Sequence, residues 1–237
     1  MTFSEALEKF KEGNIILIYD KDGREEETDL AVLAEYATPK KVAYLRKNAG
    51  GLICICIHPY AAEILKIPYL LDIYHTARNK YPLLELFSEK IPYDTKSSFS
   101  VSINHIDTRT GVTDSDRSKT ITEVAKYVKK AYNEPKHPSL VKEFARNFRI
   151  PGHVPLLIGN KKLILGRDGH TELALALSTI AKTTPAVVIC EMLDEREHRA
   201  LSKTKAQEFA KENNLAYLEG HHIEDHFTEE MLLLKNE

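Results

Sequence analysis

Residues 14–19 read NIILIY, residues 20–29 read DKDGREEETD and residues 30–34 read LAVLA. The first run is apolar almost throughout, the pattern of a strand buried on both faces of a sheet. Six acids and two bases, a local charge of −4, then take the chain out of the core, and Leu30–Ala34 brings it back. Outward from this segment, apolar runs alternate with amphipathic stretches. Upstream, residues 2–11 have helical spacing, with Thr2 as N-cap and Gly13 beyond the end. Downstream, Thr38-Pro39 opens a helix, a cap residue followed by proline at the first position, that should end near Gly50-Gly51. Leu52–Ile57 (LICICI) and Phe99–Asn104 are strand-like. Residues 58–98, broken by Pro68, Pro82 and Pro92, read as a connecting excursion with one or two short helices. Ile121–Ala131 is helical and 133–138 a loop. Val154–Ile158 and Leu163–Leu165 read as strands about a turn at Gly159-Asn160. His170–Ala181 and Ser202–Asn213 are helical, Ala186–Cys190 and Leu215–Leu218 strand-like, and 221–237 a terminal helix. No repeat or Gly/Ser linker divides the chain. The expectation is a single α+β domain over residues 1–237, with α/β-type alternation and a mixed sheet flanked by helices.

Composition narrows the function. The 237 residues suffice for a sizeable core, and 33 Lys+Arg against 35 Asp+Glu leave a net charge of −2. There is no global basic field to attract nucleic acid. No stretch approaches the roughly 18 apolar residues of a membrane helix, and MTFSE lacks the start of a signal peptide. No nucleic-acid or membrane partner is expected. Cys54, Cys56 and Cys190 contain no CxxC pair and read as buried, reduced thiols of a cytoplasmic protein.

Four segments carry candidate chemistry. If residues 20–29 are extended, Glu25, Glu27 and Asp29 project to one side, because side chains alternate with period two, beside Arg24. Three gathered carboxylates repel unless protons or a cation intervene, and hard oxygen ligands suit Mg²⁺ or Mn²⁺. A charged loop is ordinarily just surface, but this one follows a buried strand, and ligands in open α/β sheets gather at strand carboxyl ends. Arg167-Asp168-Gly169-His170-Thr171-Glu172 leads into an apolar helix, whose free N–H groups suit an anion. Arg167 and Thr171 could add phosphate donors, and His170 a metal-binding imidazole. Alternatively Thr171 or His170 simply caps the helix and Arg167 is solvated. Neither GxxxxGK[ST] nor HExxH occurs. In RIPGHVP (149–155), two prolines and a glycine place His153 just before a strand, a stiff setting that fits an acid–base group without requiring one. Glu191 closes the apolar run VVIC, a partly desolvated position. Cys54 and Cys56 share a strand face and belong to the core. His221, His222 and His226 read as a solvated helix face, and GVTDSDR (111–117) as a turn and N-cap.

In this order and spacing, DKDGREEETDL (20–30), GGLICICI (50–57), GVTDSDRSKTI (111–121), RIPGHVPLL (149–157), GRDGHTELALAL (166–177) and AVVICEML (186–193) resemble the 3,4-dihydroxy-2-butanone-4-phosphate synthases of riboflavin biosynthesis. The resemblance runs from about Asn14 to Leu218. It points to a monofunctional, archaeal-like member. Thr28 stands where the family commonly has glycine, residues 58–98 are longer than in the common bacterial form, the GVTDSDR segment is shorter, and no GTP cyclohydrolase domain is expected to follow. The resemblance implies Glu25 and His170 as ligands of Mg²⁺ or Mn²⁺, two ions per site. It implies substrate contacts from Arg24, Glu25, Asp29, Arg167, Asp168, Gly169, His170, Thr171 and Glu191. It implies catalytic roles for His153, Glu191, Asp29 and Glu27. It also implies a cytoplasmic homodimer with the active site at the subunit interface. The implied reaction converts D-ribulose 5-phosphate to L-3,4-dihydroxy-2-butanone 4-phosphate and formate by enolisation, dehydration, skeletal rearrangement and formate loss. Two other readings stay open on the same residues: a metal-dependent aldolase or isomerase on another sugar phosphate, and a non-catalytic sugar-phosphate-binding protein.

Overall fold

Burial on both faces makes β1 (Ile16–Tyr19), β2 (Thr28–Leu33) and β3 (Cys54–Ile57) read as unbroken apolar runs, and every residue in these three strands is buried. The computed structural model describes residues 1–94 and 96–234, with side chains through 230. Before β1 lies α1 (Phe3–Lys11), closed by a capping box between Thr2 and Glu5. Between β2 and β3 lies α2 (Pro39–Asn48), capped by Thr38. The excursion after β3 holds α3 (Pro59–Leu65), α4 (Leu70–Ala77) and α5 (Leu83–Leu86), three short helices rather than one or two. Next come β4 (Phe99–His105), α6 (Asp114–Asn133), α7 (Leu140–Asn147), β5 (Phe148–Ile158), α8 (His170–Ile180) and β6 (Ala186–Glu191). The chain continues with β7 (Leu193–Asp194), β8 (Arg199–Ala200), α9 (Lys203–Glu212), β9 (Ala216–Glu219) and α10 (Gly220–Leu234). The last three residues of the expected terminal helix, 235–237, lie outside the described residues.

Seven strands form one mixed sheet in the order β4-β5-β3-β6-β2-β1-β9, and β7 and β8 make a separate hairpin. β1 runs parallel to β9 and β3 to β5; the other neighbours are antiparallel. Leu30, Val32, Ile55 and Val188 pack on one face with residues of α2, α6 and α9. Ile16, Ala31, Cys56 and Val187 pack on the other with α8, α1 and α10. The expected α+β architecture, a mixed sheet between helices, is the one found. α8 is buried on all sides from His170 to Ser178, which explains its nearly uniform apolar sequence.

Three differences from the sequence reading stand out. Leu163–Leu165 is a single 3₁₀ turn, not a strand. β5 already has β4 and β3 on its two edges, so no edge is open to a hairpin partner, and Leu163 instead tucks into the core beside α8. β5 begins at Phe148 rather than Val154, because Phe148 and Arg149 pair with His105 and Asn104. His153 therefore lies within the strand, not before it. Gly152 permits this pairing: a Cβ there would stand 1.9 Å from the Ile103 carbonyl carbon. Third, α7 and the β7–β8 hairpin occupy stretches without a sequence assignment. The GVTDSDR segment behaves as expected, with Gly111 at φ +88° and Thr113 capping α6.

Candidate active site

The carboxyl ends of β1 and β6 meet the amino ends of β2 and β3 at one end of the sheet, and the start of α8 faces them. Asp20 ends β1 and is 2% exposed. Its Oδ2 accepts the Glu25 amide at 2.9 Å and its Oδ1 the Glu27 amide at 3.1 Å. Glu26 sits at φ +59°, so residues 25–27 are not extended. Glu25, Glu27 and Asp29 still line one cleft, because the buried Asp20 carboxylate gathers the loop amides around itself. Asp29 pairs in register with Glu191 across β2 and β6. Glu191 is anchored in turn: its Oε2 accepts the Leu52 amide at 2.7 Å and its carbonyl the Gly51 amide at 3.0 Å. A Cβ on Gly51 would come within 2.4 Å of that carboxylate.

Gly169, not Thr171 or His170, is the N-cap of α8, and it makes no side-chain cap bond. Both expected capping side chains are buried and line the cleft. Glycine here leaves room for both guanidiniums, since a Cβ would stand 2.5 Å from Arg167 Nη1 and 2.7 Å from Arg24 Nη2. His170 Nδ1 lies 3.0 Å from Glu25 Oε2, and Nε2 lies 3.2 Å from the Glu27 carbonyl oxygen and 3.8 Å from Asp29 Oδ1. Arg24 Nη1 contacts Glu25 Oε1 at 2.8 Å and Asp20 Oδ2 at 3.3 Å. Arg167 is not solvated: its Nη1 donates to the fully buried Glu172 at 2.5 Å. Asp168 lies behind this group, paired with Lys21 and 3.4 Å from Arg24 Nε.

Burial and crowding set the charges. Burial pushes the Asp29 carboxyl up to about 8; the His170 charge opposes the rise, and the Glu191, Glu25 and Glu27 charges add to it. Burial works against a charged His170, but Asp29, Glu25 and Asp20 outweigh it and hold the imidazole at about 10. Burial likewise raises Glu25, yet its bond to His170 and the His170 and Arg24 charges bring it to about 2. Glu27 is raised, by burial first and then by Glu25.

The donor set fits a hard divalent cation. Asp20, Glu25 and His170 each offer a ligand atom, all within 4.8 Å of one another. Asp29 Oδ1 is buried without a hydrogen-bond partner among the described residues. Two carboxylates and an imidazole suit Mg²⁺ or Mn²⁺, and a field that holds a proton on His170 attracts a cation as well. Sequence reasoning named Glu25 and His170 for this role but not Asp20, whose signal was its place at the end of a buried strand.

The cleft has a volume of about 160 Å³, and Arg167, Thr171 and Cys54 also line it, so Cys54 is not only a core residue. His153 is not brought to it. Its amide donates to Asn104 Oδ1 at 2.8 Å and its Nδ1 lies 3.1 Å from Asn104 Nδ2. Leu157, which does line the cleft, is four residues further along β5, roughly 13 Å at strand spacing. His221, His222 and His226 lie on α10 and do not line the cleft, although the amide of Gly220 just before them donates to the Asp20 carbonyl at 3.3 Å. Tyr93, Asp94 and Glu172 were missed by sequence reasoning: the first two sit in the irregular excursion and the third inside an apolar helix.

The comparisons agree with this architecture. The chain matches the family model described as 3,4-dihydroxy-2-butanone 4-phosphate synthase over residues 4–226. It is 42% identical over 229 residues to the 3,4-dihydroxy-2-butanone 4-phosphate synthase of Archaeoglobus fulgidus, covering 96% of this chain and 94% of that one. Among solved structures it is similar to the Candida albicans synthase, with a TM-score of 0.73 at 25% identity over 95% of this chain and 96% of the other. It shares its fold with a synthase in complex with two magnesium ions, at a TM-score of 0.71 and 22% identity over 93% and 94% of the two chains. Fold, cleft and relatives together define an enzyme. The chain belongs to the 3,4-dihydroxy-2-butanone 4-phosphate synthase family, which acts in riboflavin biosynthesis.

Proposed function

We propose that this cleft converts D-ribulose 5-phosphate to L-3,4-dihydroxy-2-butanone 4-phosphate and formate, within one domain spanning residues 1–237. The observation that carries the reading is the meeting of Glu25 with His170, 145 residues later, in a cleft also lined by Glu27, Asp29, Arg167 and Glu191. A sugar phosphate needs an anion grip. Arg24, Arg167, the Thr171 hydroxyl and the first N–H groups of α8 are suited to one, with Asp168 and Gly169 holding the arginines in place. Asp29, whose carboxyl is pushed up by burial, is placed to serve as a buried acid. Glu27 and Glu191 stand beside it as carboxylates to take up protons during enolisation and dehydration. Mg²⁺ or Mn²⁺, two ions as in the relative solved with magnesium, would be held by Glu25 and His170 with Asp20 and would polarise the substrate's oxygens as a Lewis acid.

The proposal includes a cytoplasmic homodimer with the site at the subunit interface. His153 supports it, since the residue lies outside its own chain's cleft. Ile106, Val112 and Ile150, on the segments beside it, are 53%, 52% and 65% exposed and are suited to a contact between subunits, and a two-fold dimer is the commonest assembly. Three free, buried cysteines fit a reducing compartment. No described helix is long and apolar enough to cross a membrane.

Product analysis tests the reaction. Purified protein with Mg²⁺ and ribulose 5-phosphate should release formate, and a chelator should stop it. Aldehyde and ketone fragments without formate would instead establish aldol cleavage, and tight binding without product a binding protein.

A further inference from the structure

Of the two arginines proposed to grip phosphate, Arg167 lines the cleft and Arg24 is buried beside Glu25, and both are already occupied. Arg24 Nη2 lies 3.0 Å from Asp94 Oδ2, and Arg167 Nε pairs with the same oxygen. The three side chains are only 4%, 16% and 7% exposed for Arg24, Arg167 and Asp94. Tyr93 lays its ring 5.4 Å from the Arg24 guanidinium carbon. The other contacts of the two guanidiniums come from groups with other duties. Asp20 organises the acidic loop. Glu172 is fixed on α8 and also accepts the Asn160 amide at 2.8 Å. Glu25 is bound to His170. Asp94 stands on the short turn from Ile91 to Asp94, in the excursion outside the sheet, where a shift leaves the strands and α8 undisturbed.

We propose that Asp94 is a positioning residue that holds the place of the substrate's phosphate: its carboxylate aligns Arg24 and Arg167 in the empty cleft and is displaced when a phosphate arrives. The inference rests on the reading of the cleft as a sugar-phosphate site. Two buried guanidiniums facing one another repel, and one shared carboxylate oxygen relieves that repulsion. A phosphate carries about −1.5 to −2 charge and three strong acceptor oxygens, so it satisfies the same two guanidiniums better than one carboxylate does. A neutral polyol or a solvent molecule does not. Free phosphate and substrate meet the same competition from Asp94, but the substrate also holds the cleft through its sugar. The device therefore keeps small free anions off the arginines while admitting the phosphorylated sugar. It also returns an internal anion to the seat when product leaves.

The chain contains no tryptophan, so Y93W introduces a single reporter beside Asp94. In the Mg²⁺-loaded protein, its emission should respond to inorganic phosphate. Adding D94N, which removes the competing charge at constant shape, should lower the half-saturating phosphate concentration about tenfold, the scale of one charge-assisted hydrogen bond lost by the competitor. D94S should act in the same direction, and both variants should lower the KM for ribulose 5-phosphate. A merely structural role predicts the opposite, weaker phosphate binding. Equal or weaker phosphate binding in both variants, or none in any of the proteins, overturns the proposal. Phosphate titration needs no turnover, so absence of formate from ribulose 5-phosphate would count against the reaction alone.

Discussion

Glu25 and His170, 3.0 Å apart, hold opposite charges in a pocket otherwise crowded with carboxylates. Their pairing is a consequence of that crowding and not an isolated stabilising contact, because burying an ion pair gains little by itself. E25Q and H170A should therefore each cut formate production by at least about 10²-fold, the upper end of what loss of a metal ligand's hydrogen-bond partner costs. Their circular dichroism should remain that of the wild type. Full activity in both would remove the metal assignment. Gly51 gives a subtler test at the same scale. A Cβ there would press on Glu191 at 2.4 Å, and a shift of about 1 Å in a reacting group costs about 10²-fold, so G51A should lower kcat by that order in a steady-state assay. The legibility of these residues differs for a physical reason. Glu25, Glu27 and Asp29 announce themselves as dense charge interrupting two buried strands. Asp94 does not, since its partners lie 70 and 73 residues away and nothing in its neighbourhood marks it.

Helix ends and strand edges carry the next tests. Thr2 and Thr38 are readable as caps because capping is a local bond between a side chain and an amide three residues on; Ser202, read as the first helical residue, is the cap of α9. Leu163–Leu165 was misread because strand formation needs an open edge, which is a property of the finished sheet. His58 caps α3 with Nδ1 accepting the Tyr60 amide at 3.2 Å, and burial lowers it to about 4. Protonation would remove the acceptor and charge a buried ring. The unfolded chain binds this proton near 6.5 and the folded chain only near 4, so its stabilising effect is complete above pH 6.5 and is lost as the pH falls toward 4. The unfolding free energy should drop by about 1–2 kcal/mol across that window, after discounting for partial exposure. H58N, which keeps a capping acceptor, should flatten the loss when the two proteins are melted at pH 7.5 and pH 5. At the β4–β5 contact, G152A should destabilise the protein by about 2–3 kcal/mol in urea titration, since the Ile103 backbone has no flexible end to yield.

A sheet of mixed direction puts strand ends of both polarities at one rim, which lets Asp20 and Glu191 from carboxyl ends meet Asp29 and Cys54 from amino ends within a single chain. His153, on β5 and bonded to Asn104, does not line the cleft of the acids it is proposed to serve. A two-fold copy presenting its own β4–β5 edge would bring a second His153 to the acids without moving β5. The consequence is a mixing experiment. H153A and H170A should each be inactive alone. If every cleft takes its acidic loop and α8 from one subunit and His153 from the other, a mixed dimer of the two variants has one doubly defective site and one intact site. Random exchange makes half the dimers mixed, so unfolding and refolding the variants together should restore about a quarter of wild-type activity. If His153 served its own chain's cleft, each site in a mixed dimer would carry one lesion, and the mixture would stay as inactive as its components.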